Sequence, residues 1–428
     1  MLIYVHRITS RVQYTCDFIF EQYLGITPTL TADPAYFTNS IIPKLNYSSS
    51  SLPSRYTIGP VNLLFDNTIA EQQIFCFEND GYKAFFKTEG SHFPFDIFAA
   101  VFFLLSRYEE YLPYTKDKFG RYAHQNSLAF KEEFLQQPLV NIWLNKFAES
   151  LQHVYPELAI NIQPFDFQPT YDIDIAWSFK NKGLLRDVGG LLKNPSVKRL
   201  QVLKGQGKDP YDCYDLLHRL HSNSLSKPIY FFLVACTPGR YDKNSDTSGN
   251  ALKALIKDHA EKYTIGIHPS WKSNVETDLI LREKKYLEEQ VGHCITSSRQ
   301  HYLKFNLPDT FNTLIKAGII DDYSMGYGTI NGYRASVASP FYWYDLEQER
   351  QTTLKLHPFC FMDATCFFQT KSSAEQAYAE LLYYYSVSKE VNGKFITIFH
   401  NNILGGDGNF SEWPEMYERF FSVAGQDK

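Results

Sequence analysis

The chain has 428 residues, 44% apolar and 21% charged, which is enough to bury more than one core and too apolar for long disordered tracts. A net charge of −5 with dispersed Lys and Arg gives no large positive field, which argues against duplex nucleic acid as a partner. Seven scattered cysteines form no C-x-x-C pair, so neither a disulfide framework nor a zinc knuckle is expected.

From the start, Met1 to Arg7 lacks the basic start, apolar stretch and small-residue cleavage site of a secretory signal, so the cytoplasm is the expected compartment. Residues 1–164 mix short strand-like pieces with polar turns and read as a smaller α+β domain of unknown function. Pro94 to Tyr111 reads as helix. Its apolar run, Ile97 to Leu105, is about half the length that spans a bilayer, so it is expected to be buried and no membrane span is expected. Ser106 to Tyr111 reads as a solvated or salt-bridged helix end.

Beyond Pro164 strands alternate with helices, which predicts βα units around a parallel sheet over residues 165–428. Candidate strands lie near 168–174, 229–235, 263–268, 294–297, 319–322, 331–334, 354–357 and 394–400, with helices such as Asp278 to Gln290 and Ser373 to Glu390 between them. Seven or eight strands suggest a barrel. The polar stretch Gly239 to Gly249 is expected to be an exposed loop. Lys204 to Lys208 lacks the full spacing of a phosphate loop, and no Gly-x-Ser-x-Gly elbow is present.

Several of these strands end in polar residues, and a parallel α/β barrel gathers its chemistry at the carboxyl ends of its strands. Asp172 and Asp174 are separated by one residue, so on a strand both carboxylates point to one side, and such like charges call for a cation between them. One would bind the metal while the other accepts a proton from attacking water. His268 follows an apolar strand, and His301 follows the next strand-like run, which completes an Asp, His, His set. Arg334 offers a planar fork that would orient a carboxylate, and His400 ends the last strong strand as a candidate general acid. Asp321 and Asp322 are read as loop residues or as a partner for Arg334.

The order of these pieces resembles the polysaccharide deacetylase superfamily, the NodB-like carbohydrate esterases, over roughly residues 165 to 425. The segment from Asp96 to Tyr111 looks like the uncharacterised amino-terminal domain of one bacterial branch of it. The resemblance implies a distorted (β/α)7 barrel that binds zinc or another divalent transition metal and removes N- or O-acetyl groups from a carbohydrate substrate. Asp172 would be the base, Asp174 and His268 metal ligands, Arg334 the arginine that positions the base, and His400 the late catalytic histidine. Lys272 stands where the second histidine of the family's His-Ser/Thr-x-x-His motif belongs. Either His301 then supplies the third ligand, or the barrel has lost its metal and only binds carbohydrate. A metal-dependent amidohydrolase acting on a small C–N substrate is a further alternative. Trp271, Tyr302 and Trp343 are the candidate sugar-facing walls.

Overall fold

The computed structural model describes residues 1–182, 196–222, 224, 226–237, 239–243 and 247–425. The chain divides into two units, each drawn from three stretches. Unit 1 holds Met1–Asp166, Tyr333–Pro358 and Val387–Lys394, and unit 2 holds Phe167–Gly332, Phe359–Ser386 and Phe395–Lys428.

In unit 1 the strands β1 (Leu2–Val5), β2 (Thr29–Thr31), β3 (Lys44–Tyr47) and β4 (Tyr56–Ile58) form a wholly parallel sheet in the order β2-β1-β3-β4. Every residue of β1 is buried, as a strand covered on both faces requires. A hairpin follows, β5 (Phe77–Asn79) with β6 (Tyr82–Ala84). Its turn places Asp80 and Gly81 at φ 48° and 83°, the left-handed pair that matches strand twist.

The helix Ile97–Leu105 is buried at all nine positions because it has no polar face to offer water. Asp96 caps it, accepting from Ala99 N at 3.0 Å, and also accepts from Val61 N and the Tyr47 hydroxyl. The segment after this helix is a buried ion network: Arg107 pairs with Glu109 and Glu110, and Glu110 also receives Arg334.

Unit 2 begins its sheet with β7 (Asp166–Ile173), β8 (Ile229–Phe232), β9 (Thr264–Ile267), β10 (Ser297–Ser298) and β11 (Asp321–Asp322). The chain then contributes an antiparallel pair to unit 1, β12 (Phe341–Asp345) with β13 (Arg350–Leu356). It returns to unit 2 for β14 (Phe361–Met362) and β15 (Lys394–His400). The unit 2 strands lie in the order β11-β10-β9-β8-β7-β15-β14, with parallel ladders from β7 through β11 and between β14 and β15. Among the described residues no ladder joins β14 to β11, so the hydrogen bonding is that of an open mixed α/β sheet and does not by itself close a barrel.

The strand expected near 331–334 is a turn, with Gly332 at φ 138° and Ser336 N bonded to the Tyr333 carbonyl. The one expected near 354–357 is the end of antiparallel β13. Among the described residues no helix is long and apolar enough to cross a membrane.

Register explains where the core of unit 2 sits. Ile229, Phe231, Met362, Ile396 and Ile398 alternate along β8, β14 and β15 and pack on one face together with Leu303, Tyr323 and Phe359. Asp172 is in register with Phe231, and Phe231 with Gly266, so all three belong to that same face.

Candidate active site

Period-two alternation carries the polar residues onto this face at the strand ends. Asp174 follows Asp172 by two, His268 follows Gly266 by two, and His400 follows Ile398 by two. Ser298 is in register with Ile267, which sets Arg299 beside His268. Arg299 N donates to the Ile267 carbonyl and His268 N to that of Phe232, so the ladder continues into the site and holds its floor.

Asp174, His268 and His301 each offer one donor atom, and the three atoms lie within 4.8 Å of one another. Asp174 Oδ1 is 3.2 Å from His268 Nε2 and 3.8 Å from His301 Nε2. A tetrahedral zinc with bonds of about 2.0–2.1 Å would set donor pairs roughly 3.3 Å apart. That same Oδ1 is sealed from solvent without a hydrogen bond, which is costly for a carboxylate oxygen unless a cation takes it. The donor set of one carboxylate and two imidazoles therefore fits a divalent transition metal.

The outer partners fix which ring nitrogens face inward. His268 Nδ1 lies 2.5 Å from the Arg299 carbonyl, which can only accept, so Nδ1 carries the hydrogen and Nε2 points to Asp174. His301 Nδ1 lies 3.0 Å from Asp242 Oδ1, with the same result. Burial lowers the basicity of His301, but Asp174 and Asp242 outweigh it and raise its pKa to about 9. Burial also pushes the Asp174 carboxyl up, yet His301, His268 and His400 together hold it well below the usual range.

Asp172 is 3% exposed, and its Oδ1 accepts from Arg299 Nη1 at 2.8 Å. Its Oδ2 stands 3.8 Å from His268 Nε2 and 4.0 Å from His400 Nε2. Arg299 is fully buried, with its guanidinium 4.4 Å from the centre of the Phe231 ring and its Nε on the Tyr323 carbonyl. His400 is gripped by Asp363, which accepts from His400 Nδ1 at 2.6 Å and from His400 N at 2.7 Å. Burial lowers the His400 pKa, but Asp363, Asp174 and Asp172 raise it to about 10, so the imidazole is charged at neutral pH.

Of the residues singled out in the sequence, Asp172, Asp174, His268, His301 and His400 come together here. Arg334 pairs elsewhere. It lies in unit 1, where its Nε and Nη2 both bind the carboxylate of Glu110, at 2.9 and 2.5 Å, and the guanidinium on Asp172 is that of Arg299. Trp343, expected as a sugar-facing wall, is also in unit 1 and has 0% exposure, because it lies on the buried side of β12 and has no face for a solute.

Trp271 and Tyr302 are 5.6 Å apart edge to face, Tyr302 lies 4.6 Å from the His301 ring, and the Tyr241 ring lies 4.3 Å from Trp271 at a tilt of 31°. Lys272 is tied by its backbone N–H to Asp242. The stretch from Gly239 was expected to be an exposed loop, but Asp242 within it is buried, and residues 244–246 lie outside the described residues. Asp322 bonds Ser298 and Ser324 across β10 and β11.

A family profile described as a family of unknown function (DUF7033) matches residues 1–156. No curated protein matches the chain. Among solved structures, one described as a "probable Polysaccharide deacetylase" from Pseudomonas aeruginosa PAO1 is 13% identical and covers 61% of this chain and 84% of its own, with a TM-score of 0.39. The Puue allantoinase is 9% identical over 60% and 84% of the two chains, TM-score 0.35. The polysaccharide deacetylase Bc1974 from Bacillus cereus is 9% identical over 60% and 89%, TM-score 0.30. At these scores the likenesses assign no residue role to this chain.

Proposed function

We propose that this protein is a metal-dependent hydrolase that removes N- or O-acetyl groups from a carbohydrate, on a distorted, NodB-like (β/α)7 barrel. The observation that carries this reading is the three-donor cluster of Asp174, His268 and His301, with its unbonded buried oxygen, beside a second carboxylate and a charged imidazole. A divalent cation held by Asp174, His268 and His301 would polarise the acetyl carbonyl and acidify water.

This chain's own groups then divide the proton transfers. Arg299 holds Asp172 Oδ1, which leaves Oδ2 directed inward as the base that takes a proton from the attacking water. His400, kept charged by Asp363, gives its Nε2 proton to the amine or alcohol as the C–N or C–O bond breaks, and acetate leaves. Tyr241, Trp271 and Tyr302 supply apolar ring faces against which a sugar packs.

The test is acetate release from N-acetylated and O-acetylated oligosaccharides by zinc-loaded protein. Asp172→Asn is expected to lower turnover by about 10²–10⁴-fold, the usual worth of a general base, with zinc content unchanged. Absence of acetate from both substrate classes with fully loaded parent protein would overturn the reading, and loss of zinc in the variant would exchange the roles of Asp172 and Asp174.

A further inference from the structure

The second-histidine position of the resembled motif holds Lys272, and the third ligand comes instead from His301, on a tight turn after β10. Such a ligand needs its own fastening. The turn is strained, since Tyr302 and Leu303 both adopt left-handed backbone, at φ 59° and 51°, although neither is glycine. What holds it lies 59 residues earlier in the chain.

Asp242 is 1% exposed, and its carboxylate gathers three donors: His301 Nδ1 at 3.0 Å and Trp271 N at 2.6 Å on Oδ1, and Lys272 N at 3.3 Å on Oδ2. Two of these belong to the segment after His268, and the third is a ligand ring itself. A single carboxylate therefore ties the His268 segment to the His301 turn. The residue before it, Tyr241, places its ring 4.3 Å from Trp271 and 5.4 Å from Tyr302.

We propose that Asp242 is the positioning residue that makes His301 a metal ligand in place of the missing motif histidine, and that through it the metal centre and the aromatic wall are built as one unit. This rests on the reading of Asp174, His268 and His301 as a metal site. Asp242 would touch neither metal nor substrate. Its work is to fix the tautomer and the ring plane of His301, as an outer carboxylate does for a ligating imidazole.

The experiment uses the full chain, with zinc alone as probe, and reads affinity by chelator competition at neutral pH. Asp242→Asn keeps the shape and removes the charge; it is expected to weaken zinc by about 10–100-fold while the metal-free melting temperature stays near that of the parent. Lys272→Ala removes a neighbouring side chain and leaves both its backbone N–H and the carboxylate, and is expected to keep the parent affinity. Parent-like affinity in Asp242→Asn overturns the proposal, as does an equal loss in Lys272→Ala, which would assign the effect to the segment as a whole. A parent that takes up no zinc overturns the metal-site reading itself, an outcome distinct from either.

Discussion

Asp174 Oδ1 has His268 Nε2 at 3.2 Å and His301 Nε2 at 3.8 Å. Because the metal-free centre keeps His301 protonated up to about 9, an entering cation must displace that proton. The sign follows directly: below that value a fall of one pH unit lowers the apparent affinity by up to about tenfold, so zinc should bind roughly 100-fold more weakly at about pH 6 than at about pH 8. Chelator competition at the two pH values checks it, and equal affinities would show that no proton is displaced. His301→Ala should abolish uptake, while Lys272→Ala, at the motif position, should keep it; elemental analysis of the purified variants separates the two. Asp172, Asp174, His268 and His400 were legible in the sequence because each lies at the end of an apolar run, a local signal, whereas His301 follows the polar Ser297 to Gln300 and was marked only by its place after the next strand-like run. Their partners were not legible. Arg299 meets Asp172 across 127 residues, Asp242 meets His301 across 59, and Asp363 meets His400 across 37. Nothing in local pattern says which of two arginines will reach a given carboxylate, and Arg334 found Glu110 instead.

At the scale of strands, the packing beneath Arg299 leaves room for nothing larger than glycine at position 266. A Cβ there would stand 2.4 Å from the Phe231 ring and 3.1 Å from the Ser297 carbonyl. Gly266→Ala should therefore push the Phe231 ring and the guanidinium stacked on it, at a cost of about 1–3 kcal/mol for overpacking. Denaturant unfolding measures this; an unchanged midpoint would show that the ring yields freely. Long strands and helices were readable from their periodicity, as for Lys394–His400, Asp278–Val291 and Ala374–Glu390. Of the two-residue strands, Asp321–Asp322 lies within the strand expected near 319–322 and Ser297–Ser298 overlaps the end of the one expected near 294–297, whereas Phe361–Met362 was not expected, being too short to show a period. Of the antiparallel pair, the end of β13 was expected as a strand near 354–357 but β12 was not, because the aromatic run Phe341 to Tyr344 has no polar alternation to mark it.

For the molecule as a whole, the sequence shows a change of pattern near Pro164 but not that the chain later returns to its first unit. Tyr333–Pro358 belongs to unit 1, where Glu349 pairs with Arg11, Arg334 with Glu110, and the Tyr342 carbonyl with the Tyr14 hydroxyl. A protein cut to residues 165–428 would carry these groups without their partners. Breaking one buried ion pair costs about 3–5 kcal/mol, so this fragment should be far less soluble than the full chain. Supplying residues 1–164 as a separate chain should restore it; co-expression and measurement of the soluble fraction checks this, and a well-folded fragment on its own would refute it. The path of the chain also bears on synthesis. It passes between the units at 166/167, 332/333, 358/359, 386/387 and 394/395. Unit 1 lacks its last stretch until residue 394 has left the ribosome. Amino-terminal domains usually fold while the rest of the chain is still being made, but here the first unit is expected to reach its final form only late in synthesis, when its two distant stretches have arrived.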